Sequence, residues 1–310
     1  MRGLIPVVIP VFGREDVFGT VGFLRQQPYA GQLRFFVIDN GNRPELSMRL
    51  KGLSDDDCDV VSFPDNRGGS AGYIAGVTAA MKKFPDAQYV WLLDDDAKPN
   101  AETLPALVAE MDRLVAENPQ TASVGSAVMS EKDAGRIIEC GARYNVLLGL
   151  RHPQLAGRRI AEVGRRTLRI DYAAACSLLV NMAAVRECGF WEDVFIHLDD
   201  IEWCIRVQGR GWSNYATTAS TVFHPEGGVA KSGAWVCYFD SRNQLWLASK
   251  FGRANIAFAY VKDLIKDVRD VLCGHADRLP YRRLAHADFK AGIRRTRAEV
   301  MAVIAKREGL

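Results

Sequence analysis

Apolar residues follow two different spacings along the first 120 residues. Residues 4–11 are a continuous apolar run, and residues 33–38 are apolar except for Arg34, the pattern of strands buried on both faces of a parallel sheet. Between them, residues 14–27 carry apolar positions at helical spacing. The same alternation continues and predicts strands at 60–63 and 89–93 and helices at 71–83 and 102–117.

The pattern changes after residue 120. Further strands are predicted at 123–130, 137–148 and 171–181, the second of them antiparallel. The stretch 151–169 contains two glycines and several arginines and is interpreted as a mobile loop. Helices are predicted at 183–188, 200–208, 235–251, 254–272 and 287–307.

This alternation predicts an α/β fold with a doubly wound, mostly parallel sheet and a C-terminal helical extension. We place the sheet domain at residues 1–230 and a basic helical region at 231–310. Sheets of this kind bind ligands beyond the carboxyl ends of their strands. Asp39 follows the second strand and residues 94–96 follow the fourth, so a site is expected at that edge.

Charge is unevenly distributed along the chain. The net charge of the 310 residues is +3, yet residues 250–310 carry 14 Lys/Arg and 7 Asp/Glu, and the remainder is acidic overall. Three interpretations of the basic helices stay open: contact with a membrane or lipid-linked phosphate, pairing of two subunits, or a solvated face. Nucleic acid is not expected as a partner, because the acidic part of the chain would repel phosphates.

Neither a membrane span nor a secretion signal is predicted. Every apolar run is shorter than the roughly 18 residues that a span needs, and the N-terminus lacks a cleavage region. The seven cysteines form no CxxC pair, which is typical of reduced thiols. We therefore expect a cytoplasmic protein, peripheral on the inner face of the cell membrane if the basic helices bind there.

The strongest chemical signal is Asp94-Asp95-Asp96. In an extended segment, residues i and i+2 point the same way, so Asp94 and Asp96 are expected to project together. Two close carboxylates repel unless a cation lies between them, and oxygen ligands suit Mg²⁺ or Mn²⁺. A solvated acidic turn is the alternative, but the position after a buried strand favours a metal ion that carries a diphosphate.

Residues 66–76 are rich in glycine and alanine and precede a helix. Such a segment lets a ligand approach the backbone, and a helix N-terminus favours anions. Ser70 is predicted to cap this helix. The motif is neither a Walker A loop nor GxGxxG, so alone it is a weak signal.

Two more signals lie in the last part of the sheet domain. Asp199, Asp200 and Glu202 gather at the start of a predicted helix, where the helix dipole stabilises carboxylates as anions. An ionised carboxylate is what a general base at neutral pH requires, although the dipole alone also accounts for these residues. His224 follows both acidic clusters in the chain; a lone histidine near a turn is more often structural.

These motifs, in this order over about residues 4–228, resemble the GT-A-fold glycosyltransferases of family 2. Residues 8–14 are similar to the first strand and nucleotide loop of that family, and residues 66–76 to its ribose–diphosphate loop. Residues 94–96 are similar to its metal-binding motif, and residues 199–202 to the motif that holds its catalytic base. The resemblance implies that residues 1–230 form a GT-A nucleotide-sugar-binding and catalytic domain.

The resemblance also implies the roles of individual residues. A divalent ion, Mn²⁺ or Mg²⁺, would be held by Asp94, Asp96 and His224. Asp200 would take the proton of the acceptor, with Asp199 as the alternative base. The implied donor-binding residues are Pro10, Phe12, Arg14, Asp39, Asn66, Gly69, Gly72 and Asp95. The implied acceptor-binding residues are Trp191, Glu202 and His197.

Within the family, the sequence is most similar to bacterial galactofuranosyltransferases, through residues 94–96, residues 68–72, Tyr238, Arg242 and Asn243. This similarity implies transfer from UDP-galactofuranose to a hydroxyl of a glycan or lipid-linked glycan in cell-surface polysaccharide synthesis. A rhamnosyltransferase that uses dTDP-rhamnose is the alternative. A non-catalytic protein that binds a nucleotide or nucleic acid is the alternative of another class.

Overall fold

The computed structural model describes residues 3–27, 29, 32–225 and 233–308, with residues 307 and 308 as backbone only. Contacts divide the chain into two units. Unit 1 consists of Met1–Arg143, Pro153–Glu192 and Asp200–Glu226, and unit 2 of Tyr144–His152, Asp193–Asp199 and Gly227–Leu310. The sequence-based boundary at residue 230 stays a prediction, because this division assigns two earlier segments to unit 2.

The strands lie mostly in one mixed sheet. In chain order they are β1 (Ile5–Val11), β2 (Leu33–Asn40), β3 (Cys58–Phe63), β4 (Tyr89–Leu93), β5 (Lys98–Pro99), β6 (Thr121–Ser130), β7 (Ile137–Glu139), β8 (Ala142–Asn145), β9 (Leu150–Pro153), β10 (Thr167–Ile170), β11 (Ser177–Asn181) and β12 (Ser213–His224). The main sheet has the order β10-β12-β6-β11-β4-β1-β2-β3, with β5 paired to β12 and β7 to β6, while β8 and β9 pair with each other.

The sheet is mostly parallel, as the apolar runs predict. β3, β2, β1 and β4 run in one direction, and β6 and β12 are parallel to each other. β11 lies between β4 and β6 and is antiparallel to both. β7 is antiparallel to β6. The expectation of a mixed α/β fold with a mostly parallel sheet and C-terminal helices is confirmed.

The helices cover the sheet and form the C-terminal part. They are α1 (Asp16–Arg25), α2 (Pro44–Lys51), α3 (Gly68–Lys83), α4 (Thr103–Glu117), α5 (Ile160–Val163), α6 (Met182–Cys188), α7 (Asp199–Gln208), α8 (Val236–Ser249), α9 (Arg253–Leu272), α10 (Leu279–Ala291) and α11 (Arg297–Glu308). α3 lies very close to β1: a Cβ atom added to Gly76 would be 2.2 Å from Cγ1 of Val8. Small residues in α3 therefore serve helix–strand packing.

Strand β12 was not predicted, because its serines and threonines hide its burial. Its hydroxyl groups are satisfied inside the sheet. The Oγ atom of Ser126 lies 2.8 Å from the Oγ atoms of both Ser177 and Ser220. Ser220 donates to the carbonyl oxygen of Thr103 at 2.7 Å, and Trp91 Nε1 donates to Ser177 at 3.1 Å. We call Ser126, Ser177 and Ser220 the hydroxyl chain; its bonds allow a polar strand to be buried.

Two predicted segments were wrong. The stretch 151–169, interpreted as a mobile loop, contains β9, α5 and the start of β10, and Arg159 is paired with Asp133 at 2.6 Å. The helix predicted at 287–307 is two helices. Gly292 adopts a left-handed conformation with φ of 67° and ends α10, which an alanine- and arginine-rich pattern does not reveal.

Unit 2 has its own core around α8, α10 and α11. Phe239, Tyr281, Leu284 and Val300 are among its buried residues. The Tyr238 hydroxyl donates to Oδ2 of Asp288 at 2.9 Å inside this core. In the part of the chain that the structure describes, no helix combines the length and the apolar character needed to cross a bilayer.

Candidate metal and nucleotide site

An acidic cluster lies at the carboxyl end of β4. Asp94 and Asp96 follow that strand, and His224 ends β12. β5 pairs antiparallel with β12 and sets Lys98 opposite Phe223, which brings His224 to the aspartates. The Nε2 atom of His224 lies 3.2 Å from Oδ1 of Asp96 and 3.6 Å from Oδ2 of Asp94. One ligand atom from each of the three residues lies within 4.8 Å of the others.

The charges of this cluster support one another. Burial lowers the pKa of His224, but hydrogen bonds and charges from Asp94 and Asp96 outweigh it and raise that pKa to about 10. Burial raises the pKa of Asp96, but the hydrogen bond to His224 and the charges of His224 and Arg14 outweigh burial. The pKa of Asp96 is therefore lower than usual. The two carboxylates suit Mn²⁺ or Mg²⁺, and the imidazole is a ligand that transition-metal ions accept more readily than Mg²⁺ does. A cation here would take the place of the proton on His224.

Tyr73 orients one of the predicted ligands. Its hydroxyl donates to Oδ1 of Asp94 at 2.6 Å, which leaves Oδ2 facing His224. Burial, followed by the charge of Asp94, raises the pKa of the Tyr73 phenol well above its usual value, so the phenol keeps its proton. Sequence reasoning missed Tyr73, because an apolar-faced helix gives a tyrosine no chemical signal. Partners of this kind hold metal-binding carboxylates in place.

Asp95 connects the acidic cluster to the loop after β1. Its Oδ2 atom accepts the backbone N–H of Phe12 at 3.2 Å. Arg14 lies 3.0 Å from Oδ2 of Asp96 and 3.9 Å from Oδ1 of Asp95. Burial and the charges of Asp94 and Asp96 raise the pKa of Asp95 to about 7. The aromatic ring of Phe12 is 44% exposed above this loop.

Asp39 is buried at the end of β2. Its Oδ1 atom accepts hydrogen bonds from the side-chain amide of Asn42 at 2.7 Å and from the Asn42 backbone N–H at 3.2 Å. The Asn42 side chain also donates to the carbonyl oxygen of Val11 and accepts from the N–H of Gly13. Asn42, which sequence reasoning missed, therefore joins the ends of β1 and β2.

The start of α3 is organised by two asparagines. Asn66 Oδ1 accepts the N–H of Gly68 at 2.8 Å. Asn40 accepts the N–H of Arg67 and donates to the carbonyl oxygen of Gly68, both at 2.9 Å. The prediction that Ser70 caps this helix was wrong. The helix begins two residues earlier, at Gly68, and Ser70 is buried inside it.

Three further donor-site predictions, Gly69, Gly72 and Pro10, lie in different surroundings. Gly69 is partly exposed in the first turn of α3, where backbone N–H groups favour an anion. A Cβ atom on Gly72 would lie 2.7 Å from Cβ of Pro10. Close packing of α3 on β1 thus accounts for Gly72, and the donor-site roles of Gly72 and Pro10 stay predictions.

The second acidic motif opens α7. Asp199 is buried, Asp200 is half-buried, and the N–H of Ile201 donates to Oδ1 of Asp200 at 2.7 Å. Glu202 is only 2% exposed and pairs with Arg206, whose Nε lies 2.8 Å from Oε1. Arg206 also donates to backbone carbonyl oxygens at the end of α6. Glu202 thus has the position of a structural ion pair, and its acceptor role stays a prediction.

The buried thiol of Cys176 relates the two acidic motifs. Burial raises its pKa well above the usual value, and the charges of Asp94, Asp96 and Asp200 raise it further. All three carboxylates therefore lie within electrostatic reach of the same sulfur atom. Asp200 and the predicted metal ligands all belong to unit 1, whereas Asp199, the alternative base, belongs to unit 2.

The segment before Asp199 has an unusual backbone. Phe195, His197 and Leu198 have φ values of 73°, 66° and 69°, which residues other than glycine rarely adopt. The side-chain amide of Asn243 donates to the carbonyl oxygens of Val194, Ile196 and His197 at 3.2, 2.6 and 3.0 Å. These bonds from α8 hold a conformation that costs the chain energy.

His197 is fixed in the same segment. Its Nδ1 atom lies 2.7 Å from Oδ1 of Asp240. Burial lowers the pKa of His197, but the hydrogen bond to Asp240 and the charges of Asp240 and Asp199 raise it above its usual value. Its predicted acceptor contact stays a prediction.

Trp191 is buried beside Tyr73. The centroids of these two rings are 5.0 Å apart, and Trp191 also stacks on Phe190 with a centroid distance of 5.1 Å. Its indole N–H has no hydrogen-bond partner among the residues that the structure describes. The indole nitrogen is itself buried, and the acceptor-binding role of Trp191 stays a prediction.

Part of the sequence matches a known family, and the fold is similar to a solved structure. Residues 7–146 match the family model described as Glycosyl transferase family 2. The solved structure described as "Crystal structure of GalNAc-T7 with UDP, GalNAc and Mn2+" is similar with a TM-score of 0.57 and 15% identity. It covers 84% of this chain, and this chain spans 54% of that one. No curated protein matches the sequence.

The Glycosyl transferase family 2 match includes the loop after β1, Asp39, residues 66–76 and residues 94–96. Asp199, Asp200 and His224 lie beyond it. The structural similarity extends over most of the chain and shows a GT-A-like fold. The expected fold class is therefore confirmed, while the roles of single residues rest on the geometry above.

Proposed function

We propose that this protein is an inverting, metal-dependent glycosyltransferase. Its donor is UDP-galactofuranose, and its acceptor is a hydroxyl of a glycan or lipid-linked glycan in cell-surface polysaccharide synthesis. The observation that carries the proposal is the group of Asp94, Asp96 and His224 at the carboxyl edge of the sheet. The family match and a similar structure whose title names UDP and Mn2+ support it.

The donor site would be formed by the ends of β1, β2 and α3. The exposed ring of Phe12 offers a surface for a nucleotide base, and Asp39 with Asn42 shapes the floor beneath it. The N-terminus of α3 points backbone N–H groups at an anion. Asp94, Asp96 and His224 would hold the divalent ion, which neutralises charge on the leaving diphosphate.

Asp200 would act as the general base. It accepts the proton of the acceptor hydroxyl while that oxygen attacks the anomeric carbon from the face opposite the diphosphate. One displacement inverts the anomeric centre, as in an inverting glycosidase in which a sugar hydroxyl replaces water. The N-terminus of α7 stabilises the anionic form of Asp200 at neutral pH. Asp199 is the alternative base.

Nucleotide binding tests the donor half of the proposal. Thermal shifts with UDP, dTDP, GDP and CMP are measured with and without Mn²⁺, since a ligand that binds the native state raises its apparent stability. We expect a shift with UDP that needs Mn²⁺ and is lost in Asp96→Asn. Asp56→Asn, an exposed acid between β2 and β3, is the matched control. A shift with dTDP alone would move the proposal to dTDP-rhamnose, and no shift at all would overturn it.

Turnover tests the catalytic half. Asp200→Asn should lower transfer from UDP-galactofuranose by about 10²–10⁴-fold, the usual contribution of a general base, with unchanged affinity for UDP. Asp199→Asn distinguishes the alternative base. Wild-type turnover in Asp200→Asn would remove Asp200 from the reaction.

A further inference from the structure

Helix α9 presents an apolar face to solvent along most of its length. The exposed large side chains are Phe258, Val261, Leu264, Ile265, Val268, Val271 and Leu272. Ile265 is 65% exposed and Leu272 is 81% exposed. We call these seven residues the α9 stripe. Contiguous exposed apolar surface of this extent is uncommon in a monomer and marks a site of association.

The opposite face of α9 packs against the rest of unit 2. Asn255, Ala259, Asp263 and Asp270 are its buried residues. Asp263 is bonded to His286 of α10 at 2.9 Å, and Asn255 donates to the carbonyl oxygen of Val146 at 3.0 Å. The orientation of α9 is therefore fixed by polar contacts, and the α9 stripe is left facing outward.

The spacing within the α9 stripe is that of a helix pair. Phe258, Val261, Ile265, Val268 and Leu272 are separated by 3, 4, 3 and 4 residues, the a/d pattern of a two-helix seam. Leu264 and Val271, seven residues apart, widen the seam on one side. A regular alternation of this kind lets side chains of two helices interdigitate, which a fluid lipid surface does not require.

Neighbouring charges also favour a protein partner over a lipid surface. The cations beside the α9 stripe are Lys262, Lys266 and Arg269. Lys262 donates to the carbonyl oxygen of Gly149, and Lys266 lies 3.2 Å from Oδ1 of Asp263. Arg269 is 65% exposed, and its Nη2 atom lies 3.5 Å from Oδ1 of Asp270. Interfacial helices instead direct free lysines and arginines at anionic head groups.

We propose that the α9 stripe pairs with the α9 stripe of a second copy of this chain, so that Ile265 of one copy meets Ile265 of the other. A two-fold interface uses the same patch on both subunits, and an apolar seam without charges is self-complementary. Seven large side chains from each copy bury on the order of 1,000 Å² in total, about the lower limit of a specific interface.

Sedimentation equilibrium of the full chain tests the pairing. We expect a dimer that Ile265→Glu dissociates, with at least a 100-fold weaker association. Met48→Glu is the matched control, because Met48 is 72% exposed on α2 in unit 1. Val268→Glu is a second variant in case Ile265→Glu misfolds. A wild-type chain that is monomeric, or a dimer that both stripe variants retain, overturns the proposal.

Crosslinking tests the register. Ile265→Cys, made together with Cys273→Ser to remove an exposed thiol, should form a covalent dimer on mild oxidation, whereas Met48→Cys in the same background should not. Failure of Ile265→Cys to crosslink would overturn the proposed pairing. Flotation with phosphatidylcholine–phosphatidylglycerol vesicles addresses the other occupant. Vesicle binding by a monomeric wild type that Ile265→Glu abolishes would assign the stripe to lipid.

Discussion

The side-chain amide of Asn243 lies 2.6 Å from the carbonyl oxygen of Ile196, within a segment whose backbone occupies left-handed conformations. The same amide also reaches the carbonyl oxygens of Val194 and His197. Phe239 supports the segment by stacking on Phe195 at 4.5 Å. One face of α8 thus determines the path of the chain directly before Asp199.

Replacing Asn243 with Asp should impair turnover more than donor binding. The substituted carboxylate would face three carbonyl oxygens and donate to none, so the strained segment would relax and Asp199 and Asp200 would move. We expect kcat to fall by about 10–100-fold at unchanged KM for the donor, since misplaced catalytic groups lose orientation. Steady-state kinetics with circular dichroism as a folding control measures this. Equal loss of kcat and of folded protein would contradict a positioning role.

Replacing Tyr73 with Phe should weaken metal binding. The change removes the hydroxyl that donates to Asp94 at 2.6 Å and leaves the ring packed on Trp191. Loss of such a partner typically costs about 10–100-fold in metal affinity. The measurement is a calorimetric Mn²⁺ titration in the presence of UDP. Tyr89→Phe is the control, because its hydroxyl donates to Asp112 in an equivalent bond away from the cluster.

Two glycine-to-alanine changes should have opposite effects on stability. In Gly72→Ala the new Cβ atom would lie 2.7 Å from Cβ of Pro10, so α3 must shift from β1 at a cost of about 1–3 kcal/mol. In Gly22→Ala nothing lies within 4 Å of the new atom in α1, and the helix should gain about 0.5–1 kcal/mol. Urea unfolding of both variants measures the two free energies. A stable Gly72→Ala would show that packing does not explain that glycine.

Acid should destabilise unit 2 partly through Asp263. Burial raises the pKa of this carboxyl, but a hydrogen bond to His286 and the charge of Lys266 lower it below the ordinary value of 3.8. Its contribution to the free energy of unfolding is therefore present above pH 3.8 and is lost as the pH falls through the folded-state pKa.

The stability difference between wild type and Asp263→Asn should therefore be largest near neutral pH and shrink towards pH 3. Urea unfolding across this range measures it, with the exposed Asp277→Asn as the control in the same unit. A difference that grows on acidification would reverse the assigned sign.

The sequence predicts the sheet and the acidic cluster because both rest on local patterns. Apolar segments locate β1, β2 and β4, and the acidic residues Asp39 and Asp94 that follow two of them mark the site edge. It does not predict β12, because buried hydroxyls imitate a polar loop until their partners are known. The sequence does not identify Tyr73 and Asn42 as site residues for a related reason. Their importance depends on which distant atoms they meet, and no spacing in the chain records that.

The hydroxyl chain has a consequence for how this sheet can change over generations. Apolar side chains tolerate a shift of one strand past another as long as the same face stays buried, whereas Ser126, Ser177 and Ser220 find their partners in one alignment only. Losing any one of them removes a hydrogen bond from its neighbour in a dry interior. The three positions should therefore be inherited together, or exchanged together for residues that need no partner.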